Sequence, residues 1–221
     1  IYCVSENVKE AFSAKFGLTE RVHVAYNMLD EQAIRRRKNE PVDDIPKGEF
    51  LMVSVGSLIP RKGFERLIHI CGLLKSRGYR FHLLILGKGE LYEQLAEQVI
   101  DEHLLDNVQL LGFRDNPYPY MAAADLYVCP SYVEGFSTVV SEAVVLETPV
   151  VTTECSGMRE ILGDSEYGLI TRNTEESLFE GLRTMLDKPE VYQYYQQRVR
   201  ERAPFFYMEE RLKAYEEILD Q

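Results

Sequence analysis

Several things are missing from this chain, and each absence removes a class of function. It has only four cysteines, Cys3, Cys71, Cys129 and Cys155, with no C-x-x-C spacing among them. A disulfide framework and a zinc site are therefore not expected; buried free thiols in a reducing cytoplasm are. No cluster of His, Asp and Glu has metal-ligand spacing. The four histidines, His23, His69, His82 and His103, fall on expected strands or helix faces, as packing or surface residues rather than catalysts. No apolar run approaches membrane-spanning length, and no signal peptide is visible. Positive charge is scarce, with 25 Lys and Arg against 36 Asp and Glu and a net charge of -11. That argues against a nucleic-acid partner, which needs a basic face, but it leaves room for a small anion in a local pocket. There is no internal repeat and no low-complexity segment. The chain opens without methionine on Ile1-Tyr2-Cys3-Val4 and is expected to be a piece of a longer protein.

What is present is a hydrophobic fraction of 45% in 221 residues, enough for one large α/β domain or one with appendages. Residues 1–4 read as the tail of a buried strand. Ser5 then caps a helix over 6–16 that stops at Gly17, and residues 21–25 form another short strand. Arg35-Arg36-Arg37-Lys38 reads as the solvated basic face of a linker helix. Residues 40–49, with two prolines, read as a loop. From residue 50 the pattern becomes regular. Strands are expected over 51–55, 81–86, 108–111, 125–129, 150–153 and 167–170. Between them lie helices over 64–77, 89–100, 117–124 and 137–147 and a helical turn over 157–162. Helices over 174–186, 189–202 and 208–219 follow, with Pro204 breaking the chain between the last two. Strands alternating with helices through short loops imply a parallel, Rossmann-like sheet with helices on both faces. Ligands of such sheets bind beyond the carboxyl ends of the strands.

The stretch that organises the rest is Pro130-Ser-Tyr-Val-Glu134-Gly-Phe-Ser-Thr-Val-Val-Ser-Glu142. Glu134 is expected on a strand-to-helix loop, and Glu142 just over one turn inside the helix. Free N–H groups at that helix start favour an anion, and Ser137 or Thr138 can cap the helix or donate to the ligand. Two carboxylates beside a phosphate make sense if they take sugar hydroxyls, so a polyol phosphate such as a nucleotide sugar fits. Glutamates near helix starts also serve as simple caps, and Glu142 alone would not distinguish the two readings. At the first strand end, Gly56-Ser57-Leu-Ile-Pro-Arg61-Lys62-Gly63 puts two cations just before a helix, which suits a diphosphate; by itself it reads first as a turn with exposed cations, and its place at the same sheet edge as Glu134 reverses that balance. Gly87-Lys88-Gly89 ends the second strand, but Tyr92 stands where a dinucleotide fingerprint needs its third glycine, so NAD binding is disfavoured. The third strand ends in Gly112-Phe113-Arg114, where Phe113 could equally be core.

Together these motifs resemble the retaining glycosyltransferases of group 1, or family 4. Glu134 and Glu142 match their E-x7-E signature, and residues 56–63 resemble their Gly-Arg-x-x-x-x-Lys-Gly phosphate loop. The resemblance implies the C-terminal lobe of the two-lobed GT-B architecture. Residues 1–35 would be the end of the N-lobe and the crossover, 36–205 a nucleotide-sugar-binding lobe, and 206–221 a terminal helix returning toward the N-lobe. It also implies roles. Glu142 would bind the ribose and Glu134 the transferred sugar. Backbone N–H groups of Gly135, Phe136 and Ser137, with Thr138, would hold the sugar and diphosphate. Lys62 would neutralise the leaving diphosphate, with Gly56, Gly87, Gly112, Phe113 and Arg114 bordering the nucleotide. Ser57 departs from the family's arginine, and Arg61 is the candidate replacement. The implied reaction moves a hexosyl or N-acetylhexosaminyl group, with retention and without metal or other cofactor. The donor would be UDP-linked, and the acceptor a glycan or lipid-linked glycan held by the absent lobe. The fragment alone would be inactive. The basic run at 35–38 could then meet anionic headgroups at the inner face of the membrane. Two alternatives remain: a nucleotide-sugar epimerase of the same architecture, against which the E-x7-E pair weighs, and a non-catalytic donor-binding module, which Ser57 favours.

Overall fold

The computed structural model describes every residue except Thr19, Arg21, Asp220 and Gln221. The expected strand over 21–25 therefore begins, and the expected terminal segment 206–221 ends, outside the described residues. The chain opens with β1 (Tyr2–Cys3), α1 (Glu6–Phe16), β2 (His23–Val24) and α2 (Glu31–Arg37). β1 and β2 pair in parallel as a separate two-stranded sheet. α1 forms where the sequence marks it: Ser5 accepts from Val8 N, and Gly17 closes the helix in the left-handed region.

The main unit follows as β3 (Phe50–Val55), α3 (Phe64–Ser76), β4 (Phe81–Leu86), α4 (Tyr92–Asp101), β5 (Val108–Gly112), α5 (Tyr118–Ala123), β6 (Leu126–Cys129), α6 (Thr138–Val145), β7 (Val150–Thr153), α7 (Met158–Leu162) and β8 (Leu169–Thr171). α8 (Glu175–Asp187), α9 (Pro189–Arg202), a 3-10 turn (Ala203–Phe206) and α10 (Met208–Leu219) complete it. All six strands pair in parallel in the order β5-β4-β3-β6-β7-β8. The chain therefore winds outward from β3 in one direction, then restarts beside β3 at β6 and winds the other way.

Period-two alternation sends successive residues to opposite faces, and both faces are covered. Leu51, Val53, Leu84, Leu86 and Tyr127 pack on the side of α5, α6 and α7. Met52, Leu83, Ile85, Leu126 and Val128 pack on the side of α3, α4 and α8. Three differences from the sequence expectation have identifiable causes. β8 starts at Leu169, not 167, because Tyr167 N is already bonded to Leu162 O at 2.9 Å. α6 stops at Val145, before Thr148-Pro149, because Glu147 turns left-handed at φ 63° and Thr148 N bonds back to Ala143 O. The 35–38 run is not a freely solvated face. Arg35 donates to Glu147 at 3.1 Å and to the Tyr207 hydroxyl, and Arg37 bonds Asp115 at 2.8 Å. The three histidines His69, His82 and His103 lie off the β3–β6 crevice, on or beside α3, β4 and α4. Among the described residues no helix is long and apolar enough to cross a membrane.

Candidate functional site

The site begins where two strands separate. β3 pairs with β4 along its whole length but meets β6 only at Met52↔Leu126 and Val53↔Tyr127. Beyond Val53 the carboxyl ends of β3 and β6 part, which opens the crevice at the switch in chain order. A cleft of about 310 Å³ lies there, at the small end of the ligand-pocket range of roughly 300–1,000 Å³. Its walls are the strand ends Val55-Gly56-Ser57 and Leu86-Gly87-Lys88, the Phe113-Arg114-Asp115 loop with Pro117, and Val139 and Glu142 of α6. Glycine at 87 is required by the wall itself, because a Cβ there would lie 1.8 Å from Gly56 O.

Glu142 stands at the cleft, second turn of α6, with the Tyr118 hydroxyl donating to its Oε1 at 3.1 Å. Burial pushes its carboxyl above the ordinary 4.5, and the Tyr118 bond opposes this only in part. The same contact and burial push the Tyr118 hydroxyl up to about 12. A carboxyl raised in the folded state favours folding below its unfolded pKa, and that contribution is lost as pH rises through the folded pKa. Glu142→Gln keeps an acceptor for Tyr118 and removes the buried charge. The variant is therefore expected to match the wild type near pH 4 and to melt at the same or higher temperature at pH 7–8. Thermal melts across pH 4–8 check this; a variant less stable at pH 8 than at pH 4, relative to wild type, contradicts it.

Glu134 sits on the loop between β6 and α6, its side chain only 6% exposed. Lys62 Nζ donates to its Oε1 at 2.5 Å, the Ser131 hydroxyl donates to the same oxygen at 2.6 Å, and Arg61 lies 3.7 Å from Oε2. Arg61 and Lys62 are held on a 3-10 turn, Pro60–Lys62, which ends at Gly63 with φ 67°. That turn leans directly on the glutamate loop, since Arg61 O accepts from Tyr132 N at 2.8 Å. Ser137 caps α6 by accepting from Val140 N. Among the described residues, the N–H groups of Gly135, Phe136 and Ser137 are bonded to no protein acceptor. They remain available at the helix start, where the dipole favours an anion.

The remaining sequence-selected residues are not equivalent. Ser57 is exposed on the cleft wall. Phe113 is 59% exposed, not core, and Lys88 Nζ sits 4.6 Å from its ring centroid. Arg114 is on the wall but is engaged by Asp44 at 2.9 Å. The Phe136 side chain is 8% exposed and packs on Tyr26, so only its backbone can face a ligand. Gly112 lies behind the wall, its carbonyl accepting from Gly87 N. Thr138 accepts from Asn27 Nδ2 at 3.4 Å.

Sequence reasoning missed the residues that hold this arrangement. Arg66 of α3 is 2% exposed. Its Nε donates to Pro130 O at 2.7 Å, Nη2 reaches the same carbonyl, Nη1 donates to Asn173 Oδ1 at 2.9 Å, and the guanidinium lies 3.8 Å from the Tyr132 ring centroid. Thr153 Oγ1 and Cys155 Sγ donate to Ser131 O, and Asn173 Nδ2 donates to Tyr132 O at 2.8 Å. Three consecutive carbonyls below Glu134 are thus each fixed by a side chain. The one sequence signal was Arg66 falling on the otherwise apolar stripe with Ile70. Glu160 of α7 accepts from Glu6 N and the Tyr26 hydroxyl, both at 2.8 Å, and so ties α1 and the β2 exit to α7. Burial and Glu160 push that hydroxyl well above its ordinary value.

The molecule is therefore a doubly wound α/β unit with a cleft at its switch point, bordered by Glu142 and adjoining the recess lined by Glu134 and Lys62. It belongs to the group 1 glycosyl transferases, whose family model matches residues 35–202. It is 34% identical over 189 residues to the Campylobacter jejuni N-acetylgalactosamine-N,N'-diacetylbacillosaminyl-diphospho-undecaprenol 4-alpha-N-acetylgalactosaminyltransferase, covering 85% of this chain and 50% of that protein. It is 32% identical over 162 residues to the lipopolysaccharide glucosyltransferase WaaG of Escherichia coli K12, covering 71% of this chain and 41% of that one. The chain thus spans about half, or less, of these relatives. Among solved structures, a Rickettsia africae glycosyltransferase superposes with a TM-score of 0.83 at 16% identity over 98% of this chain and 62% of that one. Anabaena Alr3699/HepE in complex with UDP gives 0.79 at 23% identity over 99% and 63%. At these identities the superpositions show a shared fold, that of GT-B glycosyltransferases.

Proposed function

We propose that this chain is the donor-binding, C-terminal half of a retaining glycosyltransferase that takes a hexosyl or N-acetylhexosaminyl group from a nucleotide sugar. The observation that carries the reading is the placement of the E-x7-E pair: Glu142 borders the cleft, and Glu134 stands against Lys62 at the parted ends of β3 and β6. In this reading Glu142 and Tyr118 receive the ribose hydroxyls, and Phe113 and Arg114 border the base. The open N–H groups of Gly135–Ser137 and the start of α6 receive the diphosphate. Glu134 takes a hydroxyl of the transferred sugar, and Lys62, with Arg61, neutralises the departing diphosphate. Uridine is the proposed base, a choice supported by the UDP complex of the Anabaena neighbour. The name of the C. jejuni relative supports a lipid-linked glycan acceptor. That acceptor would be carried by the other lobe, residues 1–35 belonging to its end and the crossover, with the enzyme acting at the cytoplasmic face of the membrane. Residues 36–205 would form the donor lobe, and α10, whose Tyr215 donates to Tyr26 O at 2.7 Å, the return toward the first lobe. This reading assigns no metal a role; Lys62 and Arg61 would balance the diphosphate charge. The epimerase alternative finds no histidine on the cleft wall. Ser57, which puts a neutral side chain where the family carries arginine, favours the second reading, a donor-binding module without catalysis; it would survive if Ser57→Arg brought no gain in donor affinity.

Calorimetric titration with UDP and GDP tests the proposal. Saturable binding of UDP is expected, weakened about tenfold or more in Glu142→Ala, which loses the charged acceptor for the ribose hydroxyls. A preference for GDP would overturn the base, binding of neither would overturn the donor-lobe reading, and turnover by this polypeptide alone would overturn its being a half-site.

A further inference from the structure

The cation best placed for a diphosphate is not free. Lys62 is bonded to Glu134 at 2.5 Å, with side-chain exposures of 16% and 6%, and the recess they line, with Ser131 and Ser137, is closed to about 10 Å³. Arg61 also leans on Glu134, at 3.7 Å. A diphosphate that takes Lys62's spare N–H donors sets a second anion against the buried Glu134 carboxylate, and one that draws Lys62 away strands that carboxylate. A free nucleoside diphosphate offers Glu134 no donor in return. An intact nucleotide sugar offers both halves: phosphate oxygens for Lys62 and sugar hydroxyls for Glu134.

We propose that the Lys62–Glu134 pair is a specificity determinant that distinguishes the intact donor from its nucleoside diphosphate product. This rests on the donor-lobe reading above. The pair opens for the nucleotide sugar because both partners are satisfied again in the complex. After transfer the sugar leaves Glu134, the pair re-forms, and the diphosphate loses its cation, which favours product release.

The test is a double-mutant cycle by calorimetry on the 221-residue protein, with Glu134→Gln, Lys62→Met and the combination, titrated with UDP, UDP-glucose and UDP-N-acetylglucosamine, and with GDP and GDP-mannose in parallel. Gln keeps the shape and the Ser131 bond and removes the charge. The wild type is expected to prefer a nucleotide sugar to its diphosphate. Glu134→Gln is expected to bind the diphosphate about 5–10-fold more tightly than wild type and to lose most of that preference, with the gain absent in the Lys62→Met background. Thermal melts confirm that each variant is folded. If Glu134→Gln gains no diphosphate affinity, or gains it equally without Lys62, the pair is not the determinant and the donor-lobe reading stands. If no nucleotide or nucleotide sugar binds the folded wild type, both fall.

Discussion

Gly63→Ala is expected to cost roughly 2–4 kcal/mol of unfolding free energy and to weaken nucleotide-sugar binding sharply. Two penalties add. Gly63 has φ 67°, where any residue with a Cβ is strained by about 1–2 kcal/mol. Its new Cβ would also fall 2.2 Å from Pro130 O and 2.8 Å from Arg66 Nε. Neither neighbour can yield cheaply, since the carbonyl is the one that Arg66 grips and backbone in a close-packed interior does not move alone. For a domain near 200 residues the loss corresponds to a fall in Tm of about 5–15 °C. The functional effect follows from geometry. Gly63 closes the turn bearing Arg61 and Lys62, and Pro130 opens the loop bearing Glu134, so a displacement at this contact separates Lys62 from its partner. Melts and titration with UDP-glucose together check it. A variant that melts with the wild type would show that the contact relaxes easily.

The second large effect is expected at Arg66. Arg66→Met matches much of the side-chain volume but leaves Pro130 O and Asn173 Oδ1 without their donors in the interior. A loss of roughly 2–4 kcal/mol is expected, the scale for breaking a buried, charge-assisted network from one side. Burial lowers the guanidinium pKa, yet arginine remains charged at neutral pH, so the removed group is a cation. Arg66→Lys should recover only part of the stability, because a single ammonium cannot bond Pro130 O and Asn173 at once while stacking on Tyr132. Urea unfolding of the two variants gives the answer. Equal stability of Arg66→Met and wild type would mean that the carbonyl finds another donor or water. Both predictions address one joint, the contact between the β3–α3 turn and the β6–α6 loop, which brings two separately encoded motifs into one site.

Much of the architecture was readable because its signals are local. Ser5, Ser137 and Thr174 each cap a helix through a backbone N–H three residues on. The short apolar and β-branched runs over 81–86 and 150–153 marked their strands to the residue. The β8 boundary failed where a turn bond outside the ladder intervened: Tyr167 N–H bonds Leu162 O before the β8 ladder can begin. The basic run at 35–38 was misjudged for a different reason: the partners of Arg35 and Arg37 are 112 and 78 residues away, so no local pattern announces them.

By itself, then, the sequence determined the order of strands and helices, the parallel sheet, and the two motifs with their glutamates and lysine, because each depends on the spacing of residues within one or two turns. Only the tertiary structure decided how those motifs meet. The pairing of Lys62 with Glu134 spans 72 residues, the Tyr118–Glu142 bond 24, and the Arg66 grip on Pro130 64. These contacts exist because β3 and β6, distant in the chain, lie side by side in the sheet and part at their carboxyl ends. A sequence records which side chains are available, whereas burial and adjacency, which set whether a charge is paired or free, are properties of the assembled core.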